Sequence, residues 1–229
     1  MDHVEDSPIL VVSATEAECV PVLRKMDRRK ALSPCLYSGT VQGQPIEVLL
    51  SGIGSVAATF RLTQTLMLRA YRCAIAIGIA GSFADDVSIG ETVQITEDCF
   101  ADLGIDHNGQ FRTLREERLI CDDFDCDFIV NPVPLTSNHQ KLRGVTVQTA
   151  SGSKARIGEL VRRFHPHVET MENAAFFYVC RTLKIPFASF RAISNKVEPR
   201  NREKWQITEA IESVNESLTE ALRSVMFQD

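Results

Sequence analysis

The chain has 229 residues, 44% hydrophobic and 24% charged, which is the make-up of one soluble globular domain with a sizeable core. A formal net charge of -5 argues against a general binder of nucleic acid or membrane surfaces, although a local pocket for a small anion remains open. Seven cysteines, an odd number with no Cys-x-x-Cys pair, suit a reduced cytosolic protein whose thiols act as small apolar residues.

The first residues, "MDHVEDSP" (1–8), are acidic and polar, unlike the basic start of a signal peptide, and are expected to be flexible. No apolar run approaches the roughly 20 residues that span a bilayer, so no membrane contact and a cytoplasmic location are expected. Short apolar runs then recur: "ILVVSAT" (9–15), "IEVLLSG" (46–52), "AIAIGIAG" (74–81), "ETVQITED" (91–98), "GVTVQTASG" (144–152) and "PFASFRAIS" (186–194). Several are apolar on successive positions, the pattern of strands covered on both faces.

Helical patterns lie between them. "EAECVPVLRKM" (16–26) follows the first strand, and its Pro21 must sit in the opening turn or kink the helix. "SVAATFRLTQTLMLRAY" (55–71) has no breaker, and "MENAAFFYVCRTL" (171–183) is apolar enough to be buried. Residues 202–227 carry Ile207, Ile211, Val214, Leu218, Leu222 and Val225 at helical spacing, which predicts an amphipathic C-terminal helix. Alternating strands and helices predict an α/β fold, mainly parallel and wrapped on both faces. The least regular stretch, 97–143, contains "CDDFDCD" and "NPVPL" and is expected to carry short elements or shape a site. His165 and His167 flank Pro166 in "FHPHVE" without zinc spacing, so no metal or other cofactor is expected.

Ligands of open α/β sheets bind outside the carboxyl ends of strands, so the polar residues after each apolar run are the candidates. Glu16 and Glu18 open a helix, where acids also serve the helix dipole. "SGIGS" (51–55) and "GIAGS" (78–82) are small-residue strand ends that suit close ligand approach or tight packing. Glu172 in "TMENAA" enters an apolar helix and needs donors. Asn195 follows the last strand, where asparagine also makes turns.

The order of "SGIGSVAA", "GIAGSF", "VSIGETV", "ASGS", "TMENAA" and "RAISNKVEPR" resembles the purine nucleoside phosphorylase superfamily over nearly the whole chain. More narrowly it is similar to its hydrolytic members, the methylthioadenosine/S-adenosylhomocysteine nucleosidases and futalosine hydrolases. The resemblance implies a single nucleosidase domain over 1–229, with a mixed, largely parallel twisted sheet flanked by helices. It implies a nucleoside substrate, cleavage of the purine–ribose bond by water, and a homodimer.

It gives Glu18 the water-activating position, Glu172 the ribose 2′- and 3′-hydroxyls, and Met171 a place against the sugar. Ser51 and Gly52 match the turn near the ribose and attacking water, and Ala80 and Gly81 the small residues that leave room for ligand. Where adenine-specific relatives carry Asp, this chain has Asn195, whose amide can donate to O6 or N7 of a 6-oxopurine. Hypoxanthine release, and with it futalosine and menaquinone biosynthesis, is the expectation; an adenine-releasing nucleosidase is the alternative, and a non-catalytic nucleoside binder a third reading. After "ASG" the usual acid and stacking aromatic are missing. Lys154 and Arg156 there would suit a substrate carboxylate, or stand as two exposed cations at a helix start. Asn173 replaces a small residue common after Met-Glu. No persuasive cluster of phosphate-binding arginines points to phosphorolysis.

Overall fold

A computed structural model describes residues 7–119, 128–133, 135, 137–199 and 201–223. Residues 1–6, Cys121, Cys126 and the rest of "CDDFDCD", and Val225 lie outside the described residues.

Strand β1 (Ile9–Ser13) is buried at every position and runs parallel between β4 (Gln44–Leu50) and β5 (Cys73–Ser82). β5 in turn pairs in parallel with β12 (Phe187–Lys196), the other long strand. Helices α2 (Ser55–Leu68) and α4 (Asn173–Thr182) cover one face, burying Leu62, Phe176, Phe177 and Val179. The opposite face is covered by α1 (Glu16–Lys25) and α5 (Ile207–Arg223), through Cys19, Val22, Leu23, Val214, Leu218 and Leu222. This double cover is why the central strands are apolar at consecutive residues instead of alternate ones. A smaller cluster joins Leu160 and Phe164 of α3 (Lys154–Phe164) to Cys99, Ala101, Val145 and Val147.

Three parts of the sheet depart from the sequence expectation. β2 (Asp27–Ser33) and β3 (Leu36–Val41) form an antiparallel edge that carries almost no apolar pattern, since the side chains of β2 are nearly all exposed. Its Arg28, Arg29 and Lys30 discourage pairing with another chain. The expected run 144–152 is a strand only at its start, because β10 (Lys141–Thr146) ends where residues 147–152 leave the ladder.

β11 (Val168–Thr170) pairs in parallel with β10 and antiparallel with β5. Together with β6 (Thr92–Asp98), which joins β10 to β12, it closes β5, β12, β6, β10 and β11 into a ring. The irregular stretch does carry short elements. β7 (Gly104–His107) and β8 (Gln110–Thr113) form a hairpin, and β9 (Ile129–Val130) pairs with β6. Asn108 and Gly109 turn the hairpin with φ of 54° and 81°, conformations that favour those two residue types.

Pro21 sits inside α1, beyond its first turn. Proline disturbs the hydrogen-bond ladder around it. Here Asn215 of α5 inserts its amide: Oδ1 accepts from Val22 N at 3.1 Å and Nδ2 donates to Glu18 O at 2.8 Å. Those two backbone groups are the pair that would bond one another in an uninterrupted helix. Glu18 supplies one of the two groups, so α5 helps to fix that residue. No helix among the described residues is long and apolar enough to cross a membrane.

Candidate active site

The carboxyl ends of β1, β4, β5 and β12 meet beside the turn from β11 into α4. They surround a cavity of about 360 Å³. Glu18, Ala80, Gly81, Met171, Glu172 and Asn195 all line it. A recess of about 20 Å³ adjoins it, lined by Glu18, Ser51, Gly78, Glu172 and Arg191 among others. That is room for a single water, which needs on the order of 10–15 Å³.

Glu18 is fixed from two directions. Thr15 caps α1, accepting from Glu18 N, and Glu18 Oε2 accepts from Thr15 N at 3.0 Å and Thr15 Oγ1 at 2.8 Å, a reciprocal capping box. Its Oε1 accepts from Ile79 N at 3.1 Å. The acid therefore serves its helix and faces the cavity at once. Gly78 leaves room beside it: a Cβ there would lie 2.8 Å from Glu18 Oε1 and displace the carboxylate.

Glu172 sits at the start of α4 without capping it; its Oε1 accepts instead from Gly54 N at 2.8 Å. Gly54 precedes α2 with φ +87°, a backbone that other residues rarely adopt. The "SGIGS" turn thus acts on the site by holding a carboxylate. Burial raises the pKa of Glu172, while the Gly54 amide and Arg191 act in the opposite direction. Ser51 is buried at the recess, with Oγ 3.3 Å from Ser13 O. Gly52 makes the turn, at φ +83° and against Arg61, and does not line either space.

Arg191 is a functional candidate the sequence reading missed. It lies in the middle of β12, 5% exposed, and contributes to the recess. Burial lowers its pKa, and the charges of Glu172, Glu18 and Asp98 oppose that effect. The signal was available: arginine in the middle of a mostly apolar run that reads as buried strand is costly unless partnered. Asn173 supplies part of that partnership. Its Oδ1 accepts from Arg191 Nη2 at 3.2 Å and Ser189 Oγ at 2.6 Å, and its Nδ2 donates to Asp98 Oδ2 at 2.8 Å. Asp98 also accepts from Thr146 Oγ1 at 3.0 Å, and that hydroxyl accepts from Ala174 N at 2.8 Å. The asparagine after Met-Glu is therefore the centre of a buried network behind Arg191.

Asn195 follows an irregularity between Ile193 and Asn195, where Ser194 is left out of the register with β5. Such a bulge re-aims the next side chain. The Asn195 amide donates to Lys196 O and accepts from Ser194 Oγ, both at 2.8 Å. One N–H of its NH₂ group is left by these bonds.

The cations behave differently. Lys154 is exposed at the first position of α3, and Arg156 points to Glu159 at 3.4 Å and Asp102 at 3.9 Å. Neither lines the cavity, because the helix start turns them toward neighbouring acids and solvent. The cavity's aromatic lining is Trp205, from the short turn of helix at Arg202–Lys204 and its end. His165 ends α3 with φ 46°, and His167 Nδ1 accepts from Arg143 N at 3.3 Å, so both belong to a connection.

A profile of the phosphorylase superfamily matches residues 8–134 and 137–226. A futalosine hydrolase of Thermus thermophilus is 27% identical over 194 residues, covering 82% of this chain and 84% of the relative. A 5′-methylthioadenosine/S-adenosylhomocysteine nucleosidase of Anoxybacillus flavithermus is 29% identical over 207 residues, covering 82% and 84%. Among solved structures, the corresponding nucleosidase of Neisseria meningitidis, in complex with methylthio-immucillin-A, superposes with a TM-score of 0.79. Its identity is 20%, and the match covers 96% of this chain and 100% of that one.

Proposed function

The chain belongs to the phosphorylase superfamily, and from that premise we propose that it hydrolyses the N-glycosidic bond of futalosine, releasing hypoxanthine and dehypoxanthinylfutalosine. The observation that carries this reading is the gathering of Glu18, Glu172 and Asn195 around one cavity, with a water-sized recess at Glu18. The futalosine hydrolase of Thermus thermophilus supports the substrate.

In this reading C1′–N9 breaks with its electron pair passing to the purine, and C1′ becomes cationic. A water in the recess attacks C1′ as the Glu18 carboxylate takes its proton. Solvent returns a proton to the departing base, so futalosine and water balance the two products. Arg191 and Ser51 orient the water, and Glu172 accepts from the ribose hydroxyls while Gly54 holds it still. Met171 packs on the sugar, and Ala80 and Gly81 leave space for the ligand. Asn195 donates its remaining N–H to the 6-oxopurine, stabilising negative charge on the leaving group. With futalosine as substrate, a role in menaquinone biosynthesis and a cytoplasmic location are part of the same proposal.

The exposed apolar side chains of α2, Val56, Phe60 and Met67, continue from Ile53 at the cavity rim. A second copy of the chain covers this face in the proposed homodimer, which light scattering would detect as twice the chain mass.

The test is turnover of futalosine in phosphate-free buffer with chromatographic identification of the base. Hypoxanthine release without phosphate supports the proposal; a phosphate requirement makes the enzyme a phosphorylase. Adenine release from methylthioadenosine, with futalosine untouched, favours the reading suggested by the Anoxybacillus flavithermus relative.

A further inference from the structure

The guanidinium of Arg191 is anchored by a single side chain among the described residues. Its Nη2 donates to Asn173 Oδ1 at 3.2 Å, and its other bond, from Nη1 at 3.1 Å, goes to the carbonyl of Phe190, its neighbour in the chain. Nη1 lies on the recess side. A Cβ built on Gly78 would be 3.4 Å from it and 2.8 Å from Glu18 Oε1, so cation and carboxylate share one stretch of bare backbone. A guanidinium is a rigid planar fork, and one bond leaves it free to turn. Fixing Nη2 as well sets the direction of the N–H bonds on the other arm.

Asn173 is fully buried and is itself tightly held. Its Oδ1 also accepts from Ser189 Oγ at 2.6 Å, its Nδ2 donates to Asp98 Oδ2 at 2.8 Å, and its backbone N donates to Thr170 Oγ1 at 3.4 Å. Turned over, the amide would set its NH₂ against the guanidinium and its oxygen against the Asp98 carboxyl, so one orientation fits. Asp98 is fixed in turn. Thr146 Oγ1 donates to it at 3.0 Å, and Gly144 leaves it space that an added Cβ would fill. A fully bonded buried network of this kind is stiff, and Asn173 passes that stiffness to Arg191. Asn173 lines neither the recess nor the larger cavity, so it reaches the reacting atoms only through the guanidinium.

We propose that Asn173 is a positioning residue for hydrolysis, turning the Arg191 fork so that its recess-side N–H meets the oxygen of the attacking water. The inference rests on the hydrolytic reading above and not on which purine leaves. With one lone pair of the water held by Arg191, the other faces C1′ while Glu18 draws the proton. A fork free to swing would let the water turn with it, at a cost in rate and little in substrate binding.

The experiment is steady-state kinetics in phosphate-free buffer on futalosine and on methylthioadenosine, read with whichever nucleoside is cleaved. It compares the wild type, Asn173→Ala, Arg191→Met and the double variant. Asn173→Ala should lower kcat roughly 10–100-fold with KM little changed, the mark of an interaction felt in the transition state. Added to Arg191→Met, it should cause no further loss, because its route to the water is already gone. Unchanged kcat, a rise in KM alone, or losses that multiply in the double variant overturn the inference and leave Asn173 a support of the fold. Cleavage of methylthioadenosine alone, with the expected pattern, sustains the inference while futalosine fails as the substrate. Cleavage of neither by the wild type overturns the hydrolytic reading and the inference with it. Should Asn173→Ala not fold, the near-isosteric Asn173→Leu, which fills the space and offers no acceptor, carries the same comparison.

Discussion

The two ends of the cavity are built differently. At the recess, both oxygens of Glu18 accept from backbone amides, those of Thr15 and Ile79, Glu172 Oε1 accepts from Gly54 N, and Arg191 is backed by Asn173. At the other end, Asn195 keeps an N–H that its bonds with Lys196 O and Ser194 Oγ do not use. The contrast fits the two tasks proposed for these groups. Groups that act on the reacting bond gain from being held before substrate arrives, since a misplacement of about 1 Å can cost 10²-fold in rate. Groups that choose the base gain from being left unsatisfied, because only the right partner then relieves the penalty of burial.

The largest expected effect tests the fixed end. Glu18→Gln keeps the size of the side chain and removes the base, so kcat should fall roughly 10²–10⁴-fold while nucleoside binding changes little. Steady-state kinetics together with calorimetric binding checks this; unaltered kcat would remove Glu18 from the chemistry. At the open end, Asn195→Asp replaces the donor by an acceptor. Turnover of futalosine should fall about tenfold or more while adenine nucleosides gain, giving a change of preference and not a common loss. Equal losses on both substrates would reduce Asn195 to a turn residue.

A smaller effect sharpens the comparison through stability. Burial pushes the Asp98 carboxyl up to about 7, opposed by its bonds from Asn173 and Thr146. The fold thus favours the protonated acid, whose contribution is complete below the ordinary carboxyl range and is lost as pH rises through about 7. Denaturation of the wild type and Asp98→Asn between pH 4 and 8 should show the variant losing less stability across that window. The difference should be at most about 1.4 kcal/mol per pH unit. Parallel curves would mean that Asp98 does not titrate in the fold.

Much of this arrangement was legible in the sequence. The apolar runs marked β1, β4, β5, β6 and β12; polar residues near strand ends and helix starts pointed to Glu18, Glu172 and Asn195, and the family resemblance added Ala80, Gly81 and Met171, all of which the fold brings to one cavity. What escaped had no periodicity to reveal it. β11 spans three residues, too few for a pattern. Arg191 was hidden within a run that otherwise read as buried strand. Lys154 and Arg156 were placed correctly at a helix start, but the direction of a long side chain depends on acids such as Asp102, distant in sequence. Asn173 looked like a disturbance of helix packing until Asp98, Ser189 and Arg191 were seen around it.

In the proposed reaction Asn195 selects a 6-oxopurine, which the groups at the recess release. The most direct test of this is a competition: futalosine and aminofutalosine, which differ in the purine, at equal concentration in one phosphate-free reaction. Early accumulation of hypoxanthine well ahead of adenine is the predicted result. Adenine appearing first, or both bases appearing at the same rate, would contradict the account.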